Sequence, residues 1–437
     1  MHFSGFNKYL SKVLLYACIV VPILVLIDTT SVFSYFYAHT IIVLINILIK
    51  NDRWDRTLIY YHYYMLFGVL VYLLNKYQLP GFIGTTGPEG IGTDDYTFYG
   101  QIVEGNVPYE LEVPAEYKYP FSLFLQAIYP FHIYTPLNIV LCNIVFVTYM
   151  PYFTGKLADY FFNDHRITKH AIIMILLCPM TTLYGVIIIR DLLVTTLVLA
   201  SIYYFLKKKY LPIIITVALV VFVRFGSVSF IAASFMAVFL IQTSKTNWGK
   251  IRAIIIMSAT IVLFVFLLPA LQEYSDGKLS ANVIRAVDGE YFDGSTIASI
   301  VTLPFPINII LSSLFFAIAP LLSIPALFKG VFVIINFFNA TLTPIFFIFI
   351  SPYLFNSFFG RKSANHKLLI CLLIVFLVVL GTVSLQIRHK NIIFPFMCIL
   401  AAYGSVHYNR KAYLPTTVLT SFTILIEVAY ALYSYSF

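Results

Sequence analysis

Apolar and polar positions alternate here on the scale of a membrane, not of a helix face. Long apolar runs follow one another along the 437-residue chain, separated by short charged or Gly/Pro-rich breaks. A helix of roughly 17–25 apolar residues crosses a hydrocarbon core of about 30 Å, and within that core the backbone must satisfy its own hydrogen bonds. The pattern therefore predicts an all-α polytopic membrane protein: a single integral domain, 1–437, with about 12–14 spans and no soluble domain. The alternating strands of a membrane barrel are absent from the pattern.

Taken in order, spans are expected at 13–27, 33–49 and 57–77, followed by an outer segment, 78–133. Gly and Pro punctuate its first half (Pro80-Gly81, Gly84, Gly87-Pro88, Gly90, Gly92), which favours an irregular loop. Residues 94–104 fit a short helix with Thr93 as N-cap, and Pro120 to Phe131 fits an interfacial helix. Further spans are expected at 134–154, 171–188, 192–206, 211–225, 228–242 and 253–271, then a second outer loop at 272–302. The stretch from Leu303 to about 325 is read as re-entrant or interfacial, extending that outer region to 325, because a span there would put Arg361-Lys362 outside. Spans at 333–357, 368–386, 391–407 and 413–434 complete the expectation.

Composition sharpens this picture. The chain is 60% apolar and only 11% charged, with a mean hydropathy of +0.88, where soluble domains run near a quarter charged. Its +9 net charge sits in short loops such as Lys207-Lys208-Lys209 and Lys245 to Arg252. That is the positive-inside pattern and not a nucleic-acid footprint. It puts the N-terminus in the cytoplasm and the two acidic loops outside. The first apolar run lacks a small-residue cleavage site and reads as an ordinary span. The five cysteines lie within apolar runs without CxxC spacing, so they imply neither disulfides nor a metal site.

Twelve of the nineteen carboxylates fall in the two outer loops. Most of these keep a loop solvated. Asp94 and Asp95 stand out as an adjacent pair among glycines beside a membrane entry, where a carboxylate within hydrogen-bond reach can take the proton of an attacking hydroxyl. A capping pair on a loop helix is the plainer alternative. Tyr96 and Tyr99 beside them are candidate sugar-stacking rings. A second signal is a set of cations on the outer side, against the charge bias: Arg190, Arg224, Arg388, His389 and Lys390. Guanidinium forks match phosphate oxygens, so these are candidate ligands for a lipid phosphate, with an internal ion pair such as Arg190 with Asp191 as the structural alternative. GxGxxG, Walker and HExxH arrangements are absent. No cofactor is implied, and a divalent metal is left open.

The stretch from Asp94-Asp95-Tyr96 through Gly105-Asn106-Val107-Pro108-Tyr109, followed by Tyr119-Pro120-Phe121, resembles the first outer loop of GT-C superfamily polyprenyl-phosphate-sugar glycosyltransferases. Ile189-Arg190-Asp191 and Gly381 to Lys390, with Phe394-Pro395, are similar to motifs of bacterial polysaccharide-cluster membrane proteins, among them Wzy-type O-antigen and capsule polymerases. The resemblance implies that Asp94 or Asp95 is a catalytic base. One departure is the lack of the sizeable soluble domain that oligosaccharyltransferases carry. What it implies as a whole is a bacterial inner-membrane glycosyltransferase acting on an undecaprenyl-linked oligosaccharide at the periplasmic face, with a chain-length regulator as a possible partner. Within that class a repeat-unit polymerase is expected first and a transferase using a polyprenyl monophosphate sugar second. A transporter of lipid-linked sugars is the rival from another class, with Glu427 as its single clear intramembrane acid.

Overall fold

A computed structural model describes residues 3–51, 53–77, 94–104, 119–131, 133, 135–243, 303, 307–323, 338–359, 363–383, 387–407 and 412–436. All regular structure among them is helical. The expected span 253–271, the loop 272–302 and the cap Thr93 lie outside these residues. Eight described helices are long and apolar enough to cross a membrane, or nine if one bent pair counts as a span. The chain is thus an all-α polytopic membrane protein.

The centre of the bundle is a nearly continuous helix made of α6 (Pro136–Val147) and α7 (Tyr149–Phe162). Within this stretch 94% of the most apolar window is buried, against 17% for α1 (Phe3–Ile27). The α1 helix, with α2 (Thr30–Leu48) and α3 (Trp54–Tyr77), packs around that centre. Their outward side chains, such as Leu15, Leu26, Leu48 and Leu66, are exposed apolar groups suited to lipid. At the corner between α1 and α2, Asp28 accepts hydrogen bonds from Thr30 Oγ1 (2.7 Å), Ser31 Oγ (3.1 Å) and Thr135 Oγ1 (2.8 Å). That carboxylate ties the corner to the start of α6.

The apolar run expected as one span at 171–188 is broken instead. Helices α8 (His165–Leu177) and α9 (Pro179–Gly185) meet at 63°. Cys178 takes the extended backbone that a residue before proline prefers, φ −68° and ψ 113°. The break frees carbonyls, which hydroxyls then satisfy: Tyr63 Oη and Thr182 Oγ1 donate to Leu176 O, and Thr181 Oγ1 to Ile175 O. Residues Val186 to Ile189 continue as buried non-helical chain, with Ile187 O held by Asn143 Nδ2 at 3.0 Å.

Helices α10 (Asp191–Leu206) and α11 (Tyr210–Arg224) form an antiparallel hairpin. Past a 3₁₀ turn at Phe225–Ser227, α12 (Val228–Thr243) follows. The apolar stretch from Tyr210 to Ile241 is continuous in sequence, yet it is not one straight helix. Arg224 has extended backbone (φ −160°, ψ 90°), and Phe235 of α12 stacks on Phe205 at 4.0 Å. Since Phe205 sits at the far end of α10 from Asp191, α12 returns alongside α10.

Helix α13 (Ile307–Ile318) has 12 residues, about 18 Å of helix, and cannot span alone. Ala319 to Ser323 after it are non-helical. Beyond a π turn at Phe338–Leu342 come α14 (Thr343–Phe359), α15 (Ala364–Val383), a 3₁₀ turn at Ile387–Ile392, α16 (Phe394–Val406) and α17 (Tyr413–Ser436). Helices α14 and α16 cross in direct contact at Gly404, where an added Cβ would sit 1.9 Å from Tyr353 O. Only glycine fits that crossing.

Candidate functional site

Asp94 and Asp95 form the first turn of α4 (Asp94–Glu104), where the helix dipole favours acids. The side chains of Asp94, Asp95, Tyr96 and Arg388 lie outside the described atoms. What the structure does describe is how this acidic helix is held. Phe98, Gln101 and Ile102 share one face of α4 and are buried. Phe98 meets Phe121 of α5 (Tyr119–Ile128) edge to face, with centroids 4.8 Å apart. Ser122 Oγ donates to Gln101 Oε1 at 2.7 Å, and Gln126 Nε2 donates to Ile102 O at 3.0 Å. Tyr99 is half-buried against the core, so its ring is not wholly available to a sugar.

Phe98 also joins α4 to the second signal. The Arg190 guanidinium lies over its ring, 5.7 Å from the centroid. Arg190 is the residue just before α10, and Asp191 begins that helix. Arg224, at the end of α11, donates from Nη1 to Asp191 Oδ1. Its Nη2 reaches His389 Nε2 at 2.5 Å, and that nitrogen is 3.7 Å from the same Asp191 oxygen. A guanidinium can only donate, so Nε2 is the acceptor and the His389 ring proton sits on Nδ1. Asp191 is 5% exposed and Arg224 23%. Asp191, expected as a local partner for Arg190, is held by the distant Arg224, and Arg224 is fixed by two partners from two other elements.

Lys390 does something different from its neighbour. It is fully buried, and its ammonium donates to Ala317 O at 3.2 Å and to Ala319 O, between the Phe347 and Phe394 rings. These are carbonyls left over where α13 ends, so Lys390 is the C-terminal cap of that helix. This engagement turns it inward, away from the role of a lipid-phosphate ligand expected from its outward position. Glu427 in α17 completes the arrangement, with Oε2 accepting Leu322 N–H at 2.7 Å. Among the described residues, Glu427 Oε1 has no hydrogen-bond partner.

Sequence reasoning did not foresee Asp191 as the acceptor for Arg224, Phe98 as the joint, or Glu427 as a clamp on the interrupted chain after α13. Each depends on contacts between segments remote in sequence. The described residues hold no group of three or more His, Cys, Asp or Glu placed for a metal ion. No protein-family model matches the chain, and no curated protein or solved structure matches it either.

Proposed function

We propose that this protein is a membrane glycosyltransferase of surface polysaccharide assembly, and within that class a repeat-unit polymerase. It would transfer a glycan from undecaprenyl pyrophosphate to a hydroxyl of a second lipid-linked repeat unit. One observation carries the reading: the helix that begins with Asp94-Asp95 is joined through Phe98 to Arg190, beside the Asp191–Arg224–His389 cluster. A general base and fixed cations at one end of a helix bundle suit displacement of a phosphate leaving group.

In this reading Asp94 or Asp95 accepts the proton of the acceptor hydroxyl as the new glycosidic bond forms. Arg190, Arg388 and the fixed guanidinium of Arg224 stabilise the departing pyrophosphate. His389 orients Arg224, and Lys390 serves the architecture. A purified-protein assay with synthetic lipid-linked donor and acceptor tests the activity directly. Glycan profiling of a deletion strain separates the two enzyme readings: a single capped repeat unit indicates a polymerase, and a truncated unit indicates a GT-C transferase using a polyprenyl monophosphate donor.

A transporter of lipid-linked sugars is the second reading, and one feature favours it. The helix interruption after α13 is clamped by Lys390 and Glu427, and broken helices with buried charges are how transporters build their sites. Loss of glycan transfer by purified protein, with retained translocation in vesicles, would select it.

A further inference from the structure

Glu427 lies about 21 Å along α17 from Tyr413, deep in the membrane part of the helix, and is fully buried. Its Oε2 accepts the Leu322 N–H at 2.7 Å, while Oε1 is buried without a partner. Among the described residues the charged group that acts on it is Lys390, whose ammonium is turned to the Ala317 and Ala319 carbonyls. His389 of the same 3₁₀ turn is held by Arg224, and α14, packed against α17, has Tyr353 as its one titratable side chain. A carboxylate oxygen without a donor is costly in an apolar interior, and such a group takes up a proton or finds a cation.

A polar stripe leads toward this carboxyl from the start of α17. Thr416, Thr420, Thr423 and Glu427 recur at helical spacing and share one face. Thr417 and Thr423 donate back to Tyr413 O and Leu419 O at 2.8 and 2.9 Å, as threonines in apolar helices commonly do. Thr416 and Thr420 do not: their hydroxyl oxygens are buried and unpartnered. Both residues line a cavity of about 240 Å³ between α14, α16 and α17, with Tyr353, Ser405, Tyr413 and Ser421 also on its wall. It has room for several waters. Thr420 is about 10 Å of helix from Glu427, with Thr423 between them, and the Glu427 side chain leans back toward the cavity because Cα–Cβ bonds tilt to the helix N-terminus. Tyr413 follows the basic loop Asn409-Arg410-Lys411, so the charge bias puts the cavity at the cytoplasmic face.

We infer that Glu427 is an intramembrane proton-binding site, loaded at Oε1 from the cytoplasmic face through this cavity and the threonine stripe. Carboxylate and proton combine to a carboxylic acid, and Oε2 keeps the Leu322 N–H in both states. One free oxygen suffices for a proton, whereas hard metal ions such as Mg²⁺ and Ca²⁺ take six or more ligands. The site goes beyond glycan transfer, in which Glu427 has no part.

The full-length protein in proteoliposomes is titrated under difference infrared spectroscopy, which reports the C=O stretch of a protonated buried carboxyl and its shift in deuterated water. Wild type is expected to gain this band as the pH falls, and Glu427→Gln to lack it. Glu427→Asp should keep the band at a shifted midpoint, which carries the assignment if the Gln variant does not fold. Thr416→Val/Thr420→Val preserves shape but removes both hydroxyls; it should retain the band and slow its hydrogen–deuterium exchange several-fold. Thr40→Val, which removes a hydroxyl turned back on α2, should leave that exchange unchanged. A titrating band of equal size in wild type and Glu427→Gln would overturn the proposal, as would exchange that the double threonine variant does not slow. Loss of the band on adding sodium chloride at fixed pH would also overturn it, since the site would then hold a metal cation.

Discussion

Arg224 Nη1 donates to Asp191 Oδ1 across 33 residues of sequence, joining the end of α11 to the first turn of α10. The pair is mostly buried, and His389 completes it from a third element. Removing one member of a buried pair leaves an uncompensated charge and costs on the order of 3–5 kcal/mol. Asp191→Ala should therefore lower the melting temperature sharply in detergent. Asp191→Leu/Arg224→Leu should recover most of that loss while glycan elongation stays absent. Recovery of elongation together with stability would show that Arg224 serves only the architecture.

Phe98 is the joint between the acidic helix and Arg190. Phe98→Leu keeps an apolar side chain of similar bulk but removes the ring face and the edge-to-face pair with Phe121. The expected cost is about 1–2 kcal/mol, too little to unfold the bundle, together with a several-fold drop in elongation. Unchanged elongation at a lowered melting temperature would mean that α4 does not depend on this joint for its function.

Lys390 and Glu427 separate the two functional classes. Lys390→Met leaves the Ala317 and Ala319 carbonyls without their donor, at about 1–3 kcal/mol per unsatisfied group. Glu427→Gln keeps an acceptor for Leu322 N–H but removes the charge. The glycosyltransferase reading predicts normal elongation for Glu427→Gln in membranes from expressing cells. Abolished export with intact glycan transfer would favour the transporter.

Asp28 supplies a pH dependence outside the membrane spans. Burial alone would raise its pKa, but hydrogen bonds from Thr30, Thr135 and Ser31 outweigh that and hold the carboxyl below its ordinary value. A depressed acid pKa stabilises the fold above the unfolded-state value of about 4, and this contribution is lost as pH falls through the folded-state value. Asp28→Ala should lower stability at neutral pH by roughly 1.5–3 kcal/mol. The difference from wild type should shrink as the melting buffer is taken below pH 4, and an unchanged difference would argue against a charged Asp28.

Much of the architecture was legible from local pattern. Helix α4 begins and ends at Asp94 and Glu104 as expected, because an acidic first turn and a 3.6-residue apolar period are written in adjacent residues. The break between α8 and α9 was readable in principle from Pro179, yet the long apolar run around it suggested one span. The Arg224 partnership was not legible. Asp191 stands next to Arg190, but neighbouring residues at a helix start project in different directions, and only the α10–α11 hairpin brings Arg224 within reach. Lys390 looked like an outward phosphate ligand because its partners, the carbonyls ending α13, lie more than 70 residues away.

The central claim is that the first turn of α4 supplies the base for glycan transfer. The most direct test is polymer length in cells carrying Asp94→Asn/Asp95→Asn at normal protein levels, resolved on a gel and repeated with purified enzyme and lipid-linked substrates. Single repeat units and no elongation are expected. Polymer of wild-type length in that variant would contradict it.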